Sequence, residues 1–371
     1  MKVFVEEFIR LGHDVCVLAS DSNLSVSFEG YEKPDYVTFF PVIPLGDKTA
    51  INRFKNNISI VAGAVRAAKS LGYFDVVFAT SPPLLIALAA TRIARICRAR
   101  LVFDVRDVWP DVAYEIGSFG ERSLYGRLFA WIANRTYKRS IMITTVSSGK
   151  VEKLRSHVRD EKDKVVLLPN GLDEAFLMQE EDVGIIEKYG LHQRPICVYV
   201  GNVGLAQGLG TIFALAERRP EVRFLIFGEG AERKQLEQRA KECGAHNIAF
   251  CGTLSSQGVF TVLKHADVSF APLASSKLSD SVPTKMFEAI GCGCPVLLAA
   301  HGDAVETLNR IGLGGFADPE DIKGLVRVFE KLLDEPFSFE EKQMAADLVV
   351  RRYSRQAAVA DFEKCLVGRL T

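Results

Sequence analysis

Short apolar runs rich in Val, Ile and Phe alternate along the chain with segments of helical periodicity. Apolar runs of this kind are typical of strands buried on both faces, and their alternation with helices predicts a parallel α/β sheet. In the first half the predicted strands are Val15–Ala19, Val37–Val42, Val76–Ala79, Leu101–Val105, Ile141–Val146 and Val165–Leu168. In the second half they are Ile196–Val200, Arg223–Phe227, Ile248–Phe250, Val268–Ala271 and Pro295–Ala299.

The length of the chain and one turn sequence predict where these strands divide into domains. At 371 residues the chain exceeds the usual size of a single hydrophobic core. Pro169-Asn170-Gly171 is a turn sequence, and the next strand begins near Ile196. We therefore predict two Rossmann-like domains, residues 1–170 and 171–371.

Charge is balanced overall but unevenly distributed. Residues 1–170 contain 24 Lys and Arg against 18 Asp and Glu, and residues 51–100 contain eight basic residues and one acid. This asymmetry favours an anionic partner for the first half, and ordinary surface charge is the alternative. No signal peptide is expected, because Glu6 and Glu7 interrupt the start, and the longest apolar run, Pro82 to Ala90, is too short to span a bilayer.

The cysteines and histidines show no pattern of a metal or disulfide site. Eight cysteines are scattered without a C-x-x-C pair, and six histidines lack metal-ligand spacing. Several cysteines lie in apolar runs, so we predict buried free thiols in a reducing compartment, the cytoplasm.

Two acids flank a predicted helix start in the segment SSKLSDSVPTKMFEAIGCGCP. Seven residues separate Asp280 from Glu288, and Pro283 suits the first turn of the helix that contains Lys285 and Glu288. Asp280 is therefore expected in the loop and Glu288 about one turn into the helix. The N–H groups of the helix start would attract an anion such as a diphosphate. An amphipathic helix with a solvated acid is the alternative interpretation.

This arrangement resembles the acid-x7-acid signature of the retaining GT-B glycosyltransferases of family GT4, which is followed by a small-residue and Pro-Val run, here GCGCPVLLAA. In that family the second acid, matching Glu288, holds the ribose hydroxyls of a nucleotide-sugar donor. The first acid reaches toward the transferred sugar. It is usually Glu, whereas this chain has Asp280.

The resemblance extends through YVGNVGLAQGL, FLIFGEGAERKQLE, FCGTL and ADVSFAPL. Where the commoner family pattern has an Arg and a Lys that neutralise the donor diphosphate, this chain has Asn202 and Gln207. That leaves Lys285 as the expected phosphate cation, with Lys277 in reserve. The donor-binding residues that the resemblance implies are Gly201, Asn202, Gly204, Gln207, Gly228, Gly230, Pro283, Lys285 and Glu288.

In the first half, DVVFATSPPLLIALAA and LVFDVRDVWPD resemble a bacterial GT4 subgroup associated with O-antigen, capsule and colanic acid assembly, which includes N-acetylfucosaminyltransferase-like enzymes. Arg106, Asp107 and Trp109 follow a predicted strand, where α/β sheets place their ligands. The resemblance implies that Asp107 and Asp280 are catalytic, and that Arg106, Trp109 and Ser81 bind the acceptor. A helix N-cap or a turn is the alternative role for Asp107.

The segment from Ile51 to Lys69 spaces apolar residues at helical intervals. Ile51, Phe54, Ile58, Val61 and Val65 fall on one face, with Arg53, Lys55, Arg66 and Lys69 nearby. Such a helix usually packs on its own sheet. Contact with an anionic leaflet, where a lipid-linked substrate would be presented, is an additional hypothesis.

The start of the chain departs from the family. Val5, Phe8 and Leu11 predict a helix, and Gly12-His13-Asp14-Val15 predicts the turn after it. The family's first strand and glycine-rich loop are not found before them, which would leave a gap in a central position of the sheet. We expect a start placed too far downstream or a truncated gene, and the alternative is that Met1 to Val5 serve as the strand.

The resemblance implies a GT-B architecture of two Rossmann-like domains facing across a cleft, with a last helix, about Phe339 to Leu370, packing back on the first domain. The implied activity moves a sugar, with retention, from a nucleoside diphosphate sugar, most commonly UDP-linked, to a polyprenyl-diphosphate-linked glycan or other growing surface polysaccharide. We expect no metal, no cofactor and no nucleic acid, and a cytoplasmic protein with possible peripheral contact with the inner membrane. A nucleotide-sugar 2-epimerase and a catalytically impaired binding or scaffold protein remain alternatives.

Overall fold

The computed structural model describes residues 1–21, 34–44, 50–115 and 119–370. They form two compact units. The first comprises Met1–Leu168 and Val359–Thr371, and the second comprises Pro169–Ala358.

Parallel strands and helices alternate in both units. The strands are β1 (Val17–Ser20), β2 (Val37–Phe40), β3 (Val76–Ser81), β4 (Arg100–Val105), β5 (Ser140–Thr145), β6 (Val165–Leu167), β7 (Ile196–Val200), β8 (Arg223–Phe227), β9 (Ile248–Gly252), β10 (Val268–Pro272), β11 (Val296–Ala299) and β12 (Gly314–Ala317). The helices are α1 (Lys2–Arg10), α2 (Ala50–Ala68), α3 (Ile86–Ile96), α4 (Asp111–Glu115), α5 (Leu124–Arg139), α6 (Ser148–Val158), α7 (Glu174–Leu177), α8 (Val183–Tyr189), α9 (Ile212–Arg218), α10 (Arg233–Glu242), α11 (Ser256–His265), α12 (Thr284–Gly291), α13 (Asp303–Ile311), α14 (Ile322–Asp334), α15 (Phe339–Tyr353) and α16 (Arg355–Leu370).

The second unit is built on one six-stranded parallel sheet in the order β12-β11-β10-β7-β8-β9. Side chains alternate between its faces, so that Ile196 and Val198 of β7 join one buried cluster while Cys197 and Tyr199 join the other. Burial on both faces explains why these strands read as continuous apolar runs.

Every predicted strand is confirmed, with ends shifted by at most two residues. Strand β12 was missed, because its sequence GGFA offers no apolar run. A Cβ at Gly314 would lie 2.2 Å from the backbone oxygen of Val296, so this edge strand needs glycine to approach β11.

The described residues of the first unit form two parallel sheets, β1-β2 and β3-β4-β5-β6. Residues Lys2–Arg10 form helix α1, so the predicted helix is confirmed and the alternative of a strand from Met1 to Val5 is wrong. Gly12, with φ +92°, turns the chain from this helix toward β1.

The single last helix predicted from about Phe339 to Leu370 is wrong, because the chain breaks at Ser354 between α15 and α16. Ser354 is extended (φ −65°, ψ 130°) and pairs with Leu172 in an isolated parallel bridge. The N–H of Leu172 donates to the Tyr353 oxygen at 2.7 Å, and the N–H of Arg355 donates to the Leu172 oxygen at 2.9 Å. These hydrogen bonds to Leu172 replace hydrogen bonds within a continuous helix. Local hydrophobic periodicity does not reveal such a break, because the bonding partner is remote in sequence.

Beyond this break, α16 packs within the first unit. The Phe362 ring lies 5.9 Å from Phe4 of α1 and 5.9 Å from Phe78 of β3, between ring centroids. The Glu363 carboxylate contacts His13 Nε2 at 2.8 Å. One face of β3-β6 is therefore covered by α1 and α16 together.

All eight cysteines are free thiols. Four of them are buried and Cys16 and Cys251 are half-buried. Cys243 and Cys365 are exposed, so the prediction of buried thiols is wrong for these two, because Cys243 caps the end of α10 and Cys365 lies on the solvent side of α16. Within the described ranges no cluster of His, Cys, Asp or Glu could hold a metal ion. None of the described helices is long and apolar enough to cross a membrane.

Candidate functional site

Helix α12 begins at Thr284, with Pro283 as its N-cap in an extended conformation (φ −67°, ψ 124°). The sequence analysis placed Pro283 in the first turn of the helix, whereas Pro283 lies immediately before it. A proline cap has no side-chain acceptor for the first N–H groups of the helix, which leaves them suited to an anionic ligand. Two hydrogen bonds to other segments stabilise the preceding loop. The N–H of Ser276 donates to Glu320 at 3.1 Å, and the N–H of Asp303 donates to the Ser279 oxygen at 2.8 Å.

The two acids occupy the positions that their spacing predicts. Asp280 lies half-buried in the turn before Pro283, and Glu288 lies half-buried about one turn into α12. Burial raises the pKa of the Glu288 carboxyl, while the positive charges of Arg355 and Lys285 oppose that effect. Arg355 follows the break after α15 and is far from Glu288 in the sequence. Its proximity to Glu288 is a tertiary contact, which a local sequence motif does not predict.

Lys285 has the most unusual environment of the candidate residues. Its ammonium is buried without a hydrogen-bond partner among the described residues, and it lies 4.0 Å above the centre of the Tyr199 ring. Burial lowers the pKa of Lys285 to about 8, and the nearby Glu288 carboxylate limits the decrease. A buried cation without a bonded counter-group is costly unless a ligand supplies the negative charge.

The glycine-rich loop after β7 lies against this ammonium. A Cβ at Gly201 would be only 3.0 Å from Lys285 Nζ. Gly201 has φ +145°, in the region that favours glycine. The structure therefore brings the loop after β7 and the first turn of α12 together around Lys285, as the sequence motifs predict for an anion site.

Gly228 and Gly230 lie close against this loop. A Cβ at Gly228 would lie 1.8 Å from the Gly201 oxygen, and a Cβ at Gly230 would lie 2.1 Å from the Val203 oxygen. The N–H of Val203 also donates to the Glu229 oxygen at 2.9 Å. These two glycines allow the β8 loop to support the β7 loop, which is a positioning role.

Asn202 and Gln207 form the outer part of the loop. The Asn202 amide donates to Gln207 Oε1 at 3.4 Å, and the buried Tyr199 hydroxyl donates to the Asn202 backbone oxygen at 2.6 Å. A Cβ at Gly204 would lie 2.6 Å from the Asn202 amide nitrogen. Sequence analysis missed Tyr199, because a tyrosine inside an apolar strand reads as ordinary core.

The first-unit candidates follow the ends of β3 and β4. The N–H of Arg106 donates to the Ser81 oxygen at 3.1 Å, which ties the two loops together. Arg106 is exposed and Asp107 is half-buried, whereas Ser81 is only 1% exposed and offers no surface to a ligand in this conformation. The Trp109 ring packs edge-on against Phe129, 6.3 Å between centroids, so much of it belongs to the local core.

Asp104 was missed because it lies inside the apolar strand LVFDV. It is 4% exposed, and it accepts hydrogen bonds from Thr144 and Thr80, each at 2.8 Å. Burial raises the pKa of this carboxyl despite those bonds and the nearby Arg106 guanidinium. Asp104 joins three strands directly beneath Arg106 and so helps to position that side chain.

Helix α2 only partly follows the packing predicted for it. Its C-terminal half packs on the sheet through buried Ala64 and Ala68, whereas Ile51, Phe54 and Ile58 in its first half are 67%, 57% and 44% exposed. The side chain of Arg53 lies outside the described part of the chain.

Helix α5 presents a second exposed apolar stripe, which the sequence analysis did not identify. Its members are Leu124, Tyr125, Leu128 and Trp131, with exposures of 81%, 66%, 48% and 54%. The Arg135 guanidinium lies 5.4 Å from the centre of the Trp131 ring. The positive charges of Arg135 and Arg95, together with some burial, lower the pKa of Arg139, which indicates a cluster of cations beside the stripe.

Two family models match the chain in succession. Residues 3–171 match the Glycosyl transferase 4-like domain, and residues 185–348 match Glycosyl transferases group 1. The 2-deoxystreptamine glucosyltransferase of Streptomyces kanamyceticus is 24% identical over 208 residues, covering 54% of this chain and 53% of that protein. A protein named as a colanic acid biosynthesis glycosyl transferase, WcaI, of Escherichia coli K12 is 24% identical over 269 residues, covering 68% of this chain and 64% of that protein.

The chain thus spans less than two thirds of the length of these two relatives. Among solved structures, Anabaena HepE in complex with UDP and glucose superposes with a TM-score of 0.73 at 17% identity, covering 99% of this chain and 95% of that chain. The fold is therefore GT-B, with two Rossmann-like domains. The chain consists of a glycosyl transferase 4-like domain followed by a glycosyl transferases group 1 domain, and these matches support the GT4 family that its motifs resemble.

Proposed function

We propose that this protein transfers a sugar, with retention, from a nucleoside diphosphate sugar to a growing polyprenyl-diphosphate-linked surface glycan. The observation that carries the proposal is the buried ammonium of Lys285, which lies without a hydrogen-bond partner among the described residues between the Gly201 loop and the start of α12. The choice of a uridine nucleotide is supported by HepE, which was solved with UDP and with UDP-glucose. The name of WcaI supplies the association with a surface polysaccharide.

The donor diphosphate would bind at Lys285 and the first N–H groups of α12. An anion there supplies the counter-charge that the ammonium lacks, and it also meets the positive end of the helix dipole. Glu288 would accept hydrogen bonds from the ribose hydroxyls, and Asp280 would accept one from the transferred sugar. Asn202, Gln207 and Gly204 would border the diphosphate with neutral groups, which makes Lys285 the principal cation of the site.

The reaction would need positioning and charge stabilisation rather than a covalent intermediate. The bond between the anomeric carbon and the diphosphate oxygen breaks, and a bond from the acceptor oxygen forms on the same face of the sugar. The departing diphosphate oxygen takes the acceptor proton. Lys285 and the α12 start would stabilise the charge that develops on the leaving group. Asp107 is the candidate to orient the acceptor hydroxyl, and no metal or cofactor is invoked.

The acceptor side would meet a membrane through helices α2 and α5. Both expose apolar side chains, the Arg135 guanidinium lies 5.4 Å from the centre of the Trp131 ring, and Arg95 and Arg139 line one surface depression. Exposed aromatic and apolar residues beside cations suit the headgroup region of an anionic leaflet, where each cation contributes about 1 kcal/mol. This surface would keep a peripheral, cytoplasmic enzyme near a lipid-linked acceptor.

The donor site is tested by calorimetric titration of the protein with UDP and a panel of UDP-sugars. Glu288→Ala and Lys285→Met should each weaken UDP binding at least about tenfold, because a hydrogen bond or ion contact to a charged group contributes roughly 1.5–3 kcal/mol. Glu306→Ala is the matched control, since Glu306 is an exposed helical glutamate on α13. A folded wild-type protein that binds no nucleotide would contradict the proposal and favour an impaired relative.

Retention is tested separately by the anomeric configuration of the product in NMR. An inverted product would refute the mechanism while leaving donor binding intact. Conversion of the donor to its 2-epimer without any acceptor would instead indicate the epimerase alternative.

Membrane contact is tested by sedimentation with vesicles of phosphatidylcholine, with and without phosphatidylglycerol. Binding should require the anionic lipid and should fall about tenfold or more in Trp131→Ala combined with Leu128→Ala, because two large apolar side chains would leave the interface. Met178→Ala is the control, since Met178 is 81% exposed in the other unit. Equal binding by the control and the double variant would refute contact through α5.

A further inference from the structure

Four arginines surround one depression on the surface of the first unit, which has a volume of about 560 Å³. They are Arg95, Arg98, Arg100 and Arg139, and none of the other lining residues is charged. The depression lies at the N-terminal ends of two strands, because Arg100 begins β4 and Arg139 immediately precedes β5. Arg106 follows the other end of β4, roughly 20 Å away at a rise of about 3.3 Å per residue. The depression is therefore separate from the acceptor-side candidates.

No carboxylate neutralises these arginines. Within the described part of the chain, none of the four forms an ion pair. The positive charges of Arg135 and Arg95 also lower the pKa of Arg139. Arg95 and Arg139 lie at the C-terminal ends of α3 and α5, where the helix dipole attracts cations. Each helix end offers only about half a negative charge, so a surplus of about three positive charges remains.

The fold holds two of the four guanidiniums in place. Arg100 Nη1 donates to the backbone oxygen of Arg369 at 2.9 Å. The Arg98 guanidinium carbon lies 4.8 Å from the centre of the Tyr73 ring. Arg98 also has φ +52°, a left-handed conformation that glycine adopts at less cost. Side chains that are already ordered lose less conformational entropy when a ligand binds, so the depression is partly preorganised.

One face of α5 joins the depression to the exposed apolar stripe of that helix. Leu124, Leu128, Trp131, Arg135 and Arg139 follow one another at intervals of three or four residues, so they lie along one side of the helix. The apolar side chains occupy the first part of this face and the arginines occupy its end. A ligand with an anionic group next to an apolar body would contact both parts.

We propose that the arginine depression is a binding site for a phosphomonoester group. Such a group carries a charge of about −1.5 to −2 at pH 7 and presents three acceptor oxygens. Arginine guanidiniums bind phosphate oxygens in pairs, and a surplus of about three positive charges suits a dianion better than a singly charged group. A soluble phosphate ester and a lipid headgroup offer this same chemistry. The site does not rest on the proposed function, because general membrane contact needs only diffuse positive charge.

The first arm of the experiment is calorimetric titration of the protein with glycerol 3-phosphate at pH 7. Arg95→Gln combined with Arg139→Gln should weaken binding about a hundredfold, since each lost charge-assisted contact accounts for about tenfold. Arg92→Gln is the matched control, because Arg92 is an exposed arginine of α3 outside the depression. Dimethyl phosphate, a singly charged diester, should bind about tenfold more weakly than glycerol 3-phosphate.

Two further variants separate loss of binding from loss of folding and from the donor site. Arg98→Gly should melt no lower than the wild type in circular dichroism, because φ +52° suits glycine. It should nevertheless weaken glycerol 3-phosphate binding about tenfold. Lys285→Met should leave this affinity unchanged, since Lys285 belongs to the other unit.

The second arm distinguishes the two sources of the phosphate group. Phosphatidylcholine vesicles with phosphatidic acid are compared with phosphatidylglycerol vesicles of equal surface charge. A preference of about tenfold for phosphatidic acid, lost in the Arg95 and Arg139 double variant, would identify a lipid headgroup. Saturable binding of glycerol 3-phosphate without that preference would identify a soluble phosphate ester.

Equal affinity for glycerol 3-phosphate in the wild type, the double variant and Arg98→Gly would overturn the proposal. So would equally tight binding of dimethyl phosphate, because the depression would then be only a region of general positive charge. An affinity that falls in Lys285→Met and not in the arginine variants would place the anion in the donor site and would also overturn it. None of these measurements involves UDP or sugar transfer, so their failure is distinguishable from failure of the proposed function.

Discussion

Replacing Lys285 by methionine should stabilise the ligand-free protein while weakening its binding of UDP. Methionine keeps the apolar stem of the side chain and removes the buried charge. The charge is costly in the folded state, because burial lowers the pKa of Lys285 from 10.5 to about 8. At about 1.4 kcal/mol per pKa unit, that difference corresponds to about 3 kcal/mol of free energy of unfolding at pH 7.

Contact with the Tyr199 ring offsets part of this free-energy cost of burying the Lys285 charge. Its face lies 4.0 Å from the ammonium, and a desolvated cation–π contact contributes roughly 1–2 kcal/mol that methionine loses. The expected net gain for Lys285→Met is therefore about 1–2 kcal/mol at pH 7.

The sign of the pH dependence follows from the direction of the pKa change. Because the folded pKa of about 8 lies below the usual 10.5, the unfolded chain binds more protons between these values. Wild-type stability should therefore rise relative to the variant as pH increases from about 8 toward 10. Below pH 8 the difference between the two proteins should be constant.

The assay is urea unfolding of the wild type and Lys285→Met at pH 7, 8, 9 and 10, with and without UDP. A hundredfold excess of UDP over its Kd should add about 2.7 kcal/mol to the wild type and much less to the variant, which reverses their order of stability. Lys323→Met is the control, since Lys323 is an exposed lysine on α14 of the same unit. A variant that is less stable than the wild type at pH 7 without UDP, or a difference independent of pH from 8 to 10, would refute the reasoning.

Three further substitutions, the first with a matched control at Gly312, test the surroundings of the two candidate sites. Gly228→Ala places a Cβ 1.8 Å from a backbone oxygen at φ +143°, and should lower the free energy of unfolding by more than about 2 kcal/mol. Gly312→Ala, at φ +82° with no atom within 4 Å, should cost only about 1 kcal/mol in the same urea assay, and equal losses would contradict the steric argument. Asp104→Asn should remove the loss of stability that the wild type shows as pH rises through the raised pKa of Asp104, measured by urea unfolding from pH 4 to 8; parallel curves would count against that pKa. Tyr199→Phe should cost about 1 kcal/mol and weaken UDP binding in titrations, because the hydrogen bond to the loop after β7 is lost, whereas unchanged affinity would show that the loop needs no such support.

Strand positions were predictable because a strand that is buried on both faces consists of consecutive apolar residues. Ile196–Val200 and Arg223–Phe227 were predicted to the residue. β12 was missed for the opposite reason, since its two glycines serve a close backbone approach rather than burial of apolar side chains. The break at Ser354 was also missed, because it is stabilised by backbone bonds to Leu172, far away in the chain.

The sequence by itself determined the alternation of strands and helices, the placement of Asp280 and Glu288 around the start of α12, and the glycines after β7. These depend on periodicity and short spacing, which are local properties of a chain. Tertiary structure decided that Lys285 is buried against Tyr199 and that Gly228 supports the Gly201 loop. Desolvation, steric fit and strand pairing arise between segments remote in sequence, so only the folded chain reveals them.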